Sequence, residues 1–360
     1  MKSFFHPHRG NPPRQAHVDI GDLKEDEIGR QGFSGRMAQL YRRNDPQRYK
    51  AHGALRCRRA MTRELAVPDQ SDPRALPLRL LENEDCAVSL SKRSAPMPFY
   101  TRHLDGDAAY FVHQGTGLFE TEFGPLRYEP GDYLVMPKAV TFRIVPDGVQ
   151  NHFYVLETSS ELTIPDYGPF GRHAPLDPST IEIPEAHVID DPNEWEIVLQ
   201  HDGGSSSITY KHNPCDVEAW KGDLFPFRFN IRDWNVVSSD TLHLPPPVHQ
   251  LFGARGVVLC NFLPRPAEGR KGAERVPVNH RNVDYDEVIF VHGGSFLGAP
   301  LGAGMLEHDP QGLHHGAPEK ARAMARQFHD NVSRVEWQIV ALETSRRLRP
   351  TAAFLEAAGG

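Results

Sequence analysis

Through the middle of the chain, hydrophobic and polar residues alternate with a period of two. Between residues 76 and 165 the runs "DAAYFVHQG", "TGLFETEFG", "PLRYEPGDYLVMP", "VTFRIVPDG" and "HFYVLETSS" are each bounded by Gly, Pro or Asp-Gly. Short alternating runs between such breakers predict antiparallel strands in a sandwich or small barrel. A proline-rich connector, "TIPDYGPFGRHAPLDPST", leads to a second turn-rich region holding "RGVVLCNFLPRP", "DEVIFVHGGSFLG" and "AGMLEHDPQGLHHG". Helical patterning is confined to "SGRMAQLYRRNDP", within a polar, Arg-rich start, and to "PEKARAMARQFHD"; the tail "TAAFLEAAGG" reads as loose. The expected organisation is an irregular arm for subunit contacts over 1–75, β regions over 76–200 and 201–345, and a tail over 346–360.

The two β regions are alike. "DAAYFVHQGTG" resembles "DEVIFVHGGSF", and "PGDYLVMPKAVTF" resembles "AGMLEHDPQGLHH". The halves read as two copies of one jelly-roll unit, and the fold class expected is mostly β with few short helices.

Composition narrows the partners. The chain has 360 residues with 39% hydrophobic content, enough to bury a sizeable core. A net charge of −7, with basic and acidic residues interspersed, offers no basic face to nucleic acid or to an anionic membrane. Neither a run of about 18 apolar residues nor a signal-like apolar core is present, so a cytoplasmic location is expected. Cys57, Cys86, Cys215 and Cys260 are far apart and form no CxxC pair, so they read as reduced packing thiols. Thirty Gly and 31 Pro suit short strands joined by turns, while 19 His invite a search for metal ligands.

In the second region His280, Asn282, Glu287 and Gly294, then Pro310, Gly312 and His315, follow the spacing HxH, Glu, Gly and PxGxxH, with Asn in place of the second His. This resembles the motif pair of the cupin barrel. Two histidines and one carboxylate suit one face of a metal, with the other face open. The first region has Thr101, His103, Ala108 and Phe142 at the matching positions, so its copy keeps one possible ligand and reads as structural. A one-residue slip would exchange Asp286 for Glu287. Alternation puts Glu287, Ile289 and Val291 on one face and Asp286 and Val288 on the other, and Glu287 is favoured because it lies seven residues before Gly294. A solvated or turn role is favoured for Asp284 and Asp286.

Several segments in order, "LDGDAAYFVHQGTGLFETEFGPL", "VLETSSELTIPDYGPFGRHAP", "FNIRDWNVVSSDTLHLPPPVHQLF", "NFLPRP", "HRN" and "HHGAPEKA", resemble homogentisate 1,2-dioxygenase over about 95–345. The resemblance implies Fe(II) held by His280, Glu287 and His315. It also implies O2-dependent extradiol-type cleavage of the ring of homogentisate or a related para-dihydroxylated phenol, within aromatic catabolism. The family's base toward the ring hydroxyl falls on His243, suited to a histidine titrating near neutrality, with His249 a weaker candidate. His292 and His314 are candidate neighbours of the ligands or surface residues. Val278 and Asn279 stand where the family has tyrosines, and Ser295–Gly298 where it has a tyrosine and a lysine for the substrate carboxylate. Arg265 or Arg281 is the candidate replacement cation. The family assembles as trimers and hexamers, so a homo-oligomer is expected. The competing readings are a metal-dependent cupin isomerase or decarboxylase, which Asn282 disfavours, and a non-catalytic bicupin.

Overall fold

The computed structural model describes residues 7–31, 34–166, 175–274, 278–328 and 331–359. Most of the "PDYGPFGRHAP" stretch and the last two residues of "PEKARAMARQFHD" lie outside the described residues. In chain order the arm supplies β1 (Lys24–Gln31), β2 (Ser34–Arg42), β3 (Arg58–Met61) and the short α1 (Pro68–Ser71). The first half follows with β4 (Leu78–Glu82), β5 (Cys86–Ser91), β6 (Tyr100–His103), β7 (Asp107–Gln114), β8 (Gly117–Thr121), β9 (Gly124–Tyr128), β10 (Asp132–Met136), β11 (Phe142–Pro146) and β12 (His152–Thr158). Then come β13 (Trp195–His201), β14 (Gly204–Tyr210), β15 (Phe227–Asn230), β16 (Gln250–Ala254), β17 (Val257–Phe262) and β18 (Arg265–Pro266). The chain closes with β19 (Asn279–Asn282), β20 (Asp286–Phe296), β21 (Ala299–Pro300), β22 (Met305–Asp309), α2 (Glu319–Gln327), β23 (Arg334–Thr344), β24 (Arg349–Pro350) and α3 (Ala352–Ala357). The four cysteines are free.

Two sheets repeat one strand order. One runs β4-β5-β12-β7-β10-β15, with β24 added beside β4, and the other β16-β17-β23-β20-β22-β3. Their registers match: Thr158 faces Asp107 and Cys86, as Thr344 faces Asp286 and Val257. Even the irregularities match. The register shift opposite His152/Phe153 leaves His113 as the extra residue of a bulge, and the shift at Val291/Gly293 does the same for His292. Each bulge is followed by a glycine at φ +95°, Gly115 and Gly294. A Cβ on Gly294 would stand 1.8 Å from the Glu336 carbonyl oxygen.

Each half borrows its first strands from the segment that precedes the other half. β3, from the arm, closes the edge of the second sheet by pairing with β22, while β15 closes the first by pairing with β10. Likewise hairpin β1–β2 pairs in parallel with β19, and hairpin β13–β14 pairs in parallel with β6. Residues 34–42, expected to be helical, are therefore β2. Its Arg, Gln and Leu positions have ordinary helical propensity, but pairing with β1 across seven registered positions decides its conformation. The tail is packed: Phe354 of α3 is 0% exposed and belongs to the main core.

The two matching sheets lie face to face. Ala109 and Phe111 of β7 meet Val288 and Phe290 of β20 in one core, with the Phe111 and Phe290 rings 6.4 Å apart and edge-on. The alternate residues of β7, Ala108, Tyr110 and Val112, point into the first barrel, which Phe119, Phe142 and Phe153 fill. Both faces of β7 are buried, which is why its sequence is a near-continuous apolar run. In β20 the corresponding residues, Glu287, Ile289 and Val291, line a cavity instead.

Candidate metal centre

β19, β20 and the turn after β22 bring three side chains together. An isolated bridge pairs His280 with His315, as β6–β11 pairs Thr101 with Phe142 in the first barrel. Leu313 N–H closes the turn on the Pro310 carbonyl at 3.2 Å, and Gly312 within it has φ +83°. Glu287 reaches the pair from β20, and ligand atoms of all three lie within 4.8 Å of one another. Asp286 points the other way. Its carboxylate accepts from His308 Nε2 at 2.8 Å, Gln311 N–H at 3.0 Å and Leu348 N–H at 2.9 Å, so it ties β20 to β22 and to the chain beyond β23.

Chemistry follows from which ring nitrogens are engaged. His280 Nδ1 lies 3.0 Å from the Val278 carbonyl and His315 Nδ1 lies 3.0 Å from the Leu313 carbonyl. Only an N–H donates to a carbonyl, so the neutral form of each ring carries its lone pair on Nε2. Both Nε2 atoms face Glu287 Oε2, at 3.5 and 3.3 Å. Lone pairs so placed need a positive charge among them, either protons or a cation. Burial works against charge on Glu287, but the hydrogen bonds and charges of His280 and His315 outweigh it and hold the carboxyl well below its ordinary range. Burial also opposes charge on His315, yet Asp309 and then Glu287 push its pKa up to about 10. The same field that would hold a proton there favours a divalent cation, and the three donors fit one. Asn282 Nδ2 donates to Glu287 Oε2 at 3.3 Å, which orients the carboxylate from the position of the missing histidine.

The three groups sit in the wall of a cavity of about 350 Å³ with apolar sides that include Ile289, Val291, Phe262 and Trp337. His243, His249 and Arg265 line the same cavity. His249 is 1% exposed and neither ring nitrogen has a hydrogen-bond partner. Burial, then Arg265 and His243, pushes its pKa down to about 3. Arg265 is 5% exposed and donates from Nη1 to the Leu263 carbonyl, while its Nε makes no hydrogen bond but lies 3.8 Å from Glu268 in an ion pair. His243 does not titrate near neutrality. Burial, then the charges of His17 and Arg265, pushes it down to about 4, which makes it a neutral acceptor at pH 7.

Other candidates lie elsewhere. His292, from the bulge, meets His113 of the first half Nδ1 to Nδ1 at 3.1 Å and is not in the cavity wall. His314 turns to the arm, where its Nε2 meets Asp26 at 3.1 Å. Arg281 is not in the cavity wall either, because alternation along β19 turns it away from His280. Sequence reasoning missed Glu343, which faces Glu287 across β20–β23; burial and then Glu287 raise its pKa to about 8. The signal was there: "LETS" occurs at 156–159 and again at 342–345, and Glu157 takes the equivalent place in the first barrel.

Residues 86–231 match the family model described as homogentisate 1,2-dioxygenase N-terminal. A protein of Saccharolobus solfataricus described as "Putative dioxygenase" is 26% identical over 315 residues, covering 82% of this chain and 81% of its own. Among solved structures, a cupin 2 conserved barrel domain protein from Leptotrichia buccalis covers 75% of this chain and 88% of its own, at 11% identity and a TM-score of 0.37. Protein Ylba from E. coli covers 82% and 94%, at 9% identity and a TM-score of 0.34. Likenesses that loose leave the jelly-roll halves to be read from their strand pairing. The chain is thus similar to the homogentisate 1,2-dioxygenase N-terminal family over residues 86–231 and, over most of its length, to a protein described as a dioxygenase.

Proposed function

We propose that the protein is an Fe(II)-dependent dioxygenase that cleaves the aromatic ring of homogentisate or a related para-dihydroxylated phenol. The observation that carries this reading is the convergence of His280 Nε2, His315 Nε2 and the Glu287 carboxylate in the wall of a largely apolar cavity. Fe(II) held by these three groups would supply the electron coupling between ring and O2, both atoms of which enter the product as the ring C–C bond opens. His243 takes the proton of a ring hydroxyl on its neutral imidazole. Phe262 and Trp337 offer flat apolar walls to the ring and exclude water from it. Arg265 and His249 present buried donors to the acidic substituent, which replaces the family's tyrosine and lysine. Asn282 holds Glu287 in place.

The test is anaerobic Fe(II) loading followed by O2 uptake with homogentisate and with 2,5-dihydroxytoluene, which lacks the carboxylate. The protein is expected to bind one iron and consume O2 with homogentisate, and His315→Ala to lose both. Wild-type protein that binds no iron, or His315→Ala with wild-type uptake, would refute the reading. Arg265→Met is expected to raise KM for homogentisate about tenfold or more while leaving the weaker substrate unaffected.

A further inference from the structure

The arm places a second histidine behind the cavity. His17 lies in the turn before β1, with its backbone N–H 3.0 Å from Glu25 Oε1 and its ring Nδ1 2.7 Å from Glu25 Oε2. Its carbonyl accepts from Glu274 N–H at 2.8 Å. These contacts fix a residue at φ +66°, a conformation that side chains other than glycine rarely adopt. The ring so fixed lies 5.3 Å from the ring of His243, centroid to centroid, at a tilt of 49°. Glu25 is buried on β1, and the parallel pairing that puts Glu27 opposite His280 holds it there. In the first barrel the equivalent strand has Ile197 and Val198 where β1 has Asp26 and Glu27. Glu25 itself has an acidic counterpart there, Glu196, but that carboxylate pairs with Arg74 and not with a histidine.

We propose that the Glu25–His17 pair is a positioning device for His243, which makes the N-terminal arm a working part of the cavity; this rests on the function proposed above. The charges follow the geometry. Burial opposes a proton on His17, but Glu25, then Glu27 and Glu274, outweigh it and raise its pKa. The groups facing His243 are His17 from the arm, Arg265 from β18, His249 from the turn before β16, and Glu25 behind His17. Positive charge on His17 works against positive charge on His243 and so favours the neutral ring, the form that can accept a proton.

The test compares O2 uptake with homogentisate across pH for the iron-loaded wild type, His17→Gln, Glu25→Gln and Glu25→Asp. Loss of the Glu25–His17 pair is expected to move the acid limb of kcat/KM to higher pH by on the order of one unit in the two Gln variants. Glu25→Asp keeps the limb near its wild-type place, and iron content stays unchanged in all three. A limb that does not move, or a loss of rate equal at every pH, overturns the proposal. A second readout covers variants that fold poorly: titration of the His243 ring by 15N NMR in the wild type, assigned against His243→Gln. A midpoint at or above the ordinary 6.5 overturns the proposal as well. Wild type without O2 uptake is a failure of the proposed reaction, and the NMR titration then still decides whether His17 sets the state of His243.

Discussion

Asp286 and Glu287 are neighbours with opposite tasks, and alternation along β20 is the reason. The inward carboxylate meets two imidazoles; the outward one meets an imidazole and two backbone N–H groups in a dry core. Substitutions are expected to separate them. Glu287→Gln should abolish iron binding, read by metal analysis, with Tm within a few degrees of the wild-type apoprotein. Asp286→Asn should retain iron and lower stability by about 1–3 kcal/mol in urea unfolding, because Asn cannot accept all three hydrogen bonds. The reverse pattern would exchange the two roles. The acid was only partly legible in the sequence. Motif spacing favours Glu287, but a one-residue slip is invisible until the partners of Asp286 are seen.

At the scale of elements, β20 and α2 were legible because each writes its own periodicity into a single window. Residues 34–42 were not, since a polar strand at a sheet edge carries no strong period and takes its conformation from β1. The bulges of β7 and β20 also escaped the sequence, although both their glycines were in view. Gly294→Ala tests how firmly the bulge of β20 is set. With φ at +95° and a backbone oxygen 1.8 Å from the added Cβ, the variant is expected to lose roughly 2–4 kcal/mol of stability. An unchanged unfolding midpoint would show that β20 relaxes freely there. The direction of His292 is part of the same lesson: the bulge hands it to the neighbouring half, away from His280 and Glu287, which it follows in sequence.

At the scale of the whole molecule, the junction between halves is held by apolar residues around Phe290 and by a cluster of three histidines. His113 and His292 are equivalent bulge residues in contact, and the His152 ring lies 4.9 Å from that of His113. Burial foremost lowers all three, to about 4 for His113 and His292 and about 3 for His152. Their folded values lie below the ordinary 6.5, so the unfolded chain binds more protons between about pH 4 and 6.5. Stability from this cluster is therefore complete above that window and is lost as pH falls through it. Tm is expected to fall by several degrees from pH 7 to pH 5, and His292→Gln should flatten that slope; an equal slope in the variant would remove the cluster from the account.

Sequence by itself determined the jelly-roll strands, their duplication and the spacing of His280, Glu287 and His315, because alternation, turn residues and motif distances are all local. It also disclosed the contrast between halves, since Phe142 stands where His315 does and packs into a filled barrel. Only the tertiary structure decided that the halves exchange their opening hairpins and edge strands. Several pairings satisfy a polar hairpin's backbone equally well, and the one adopted is chosen by what the whole molecule buries. That exchange carries His17 and Glu25 to His243, across more than 200 residues of chain, and no window of sequence contains both.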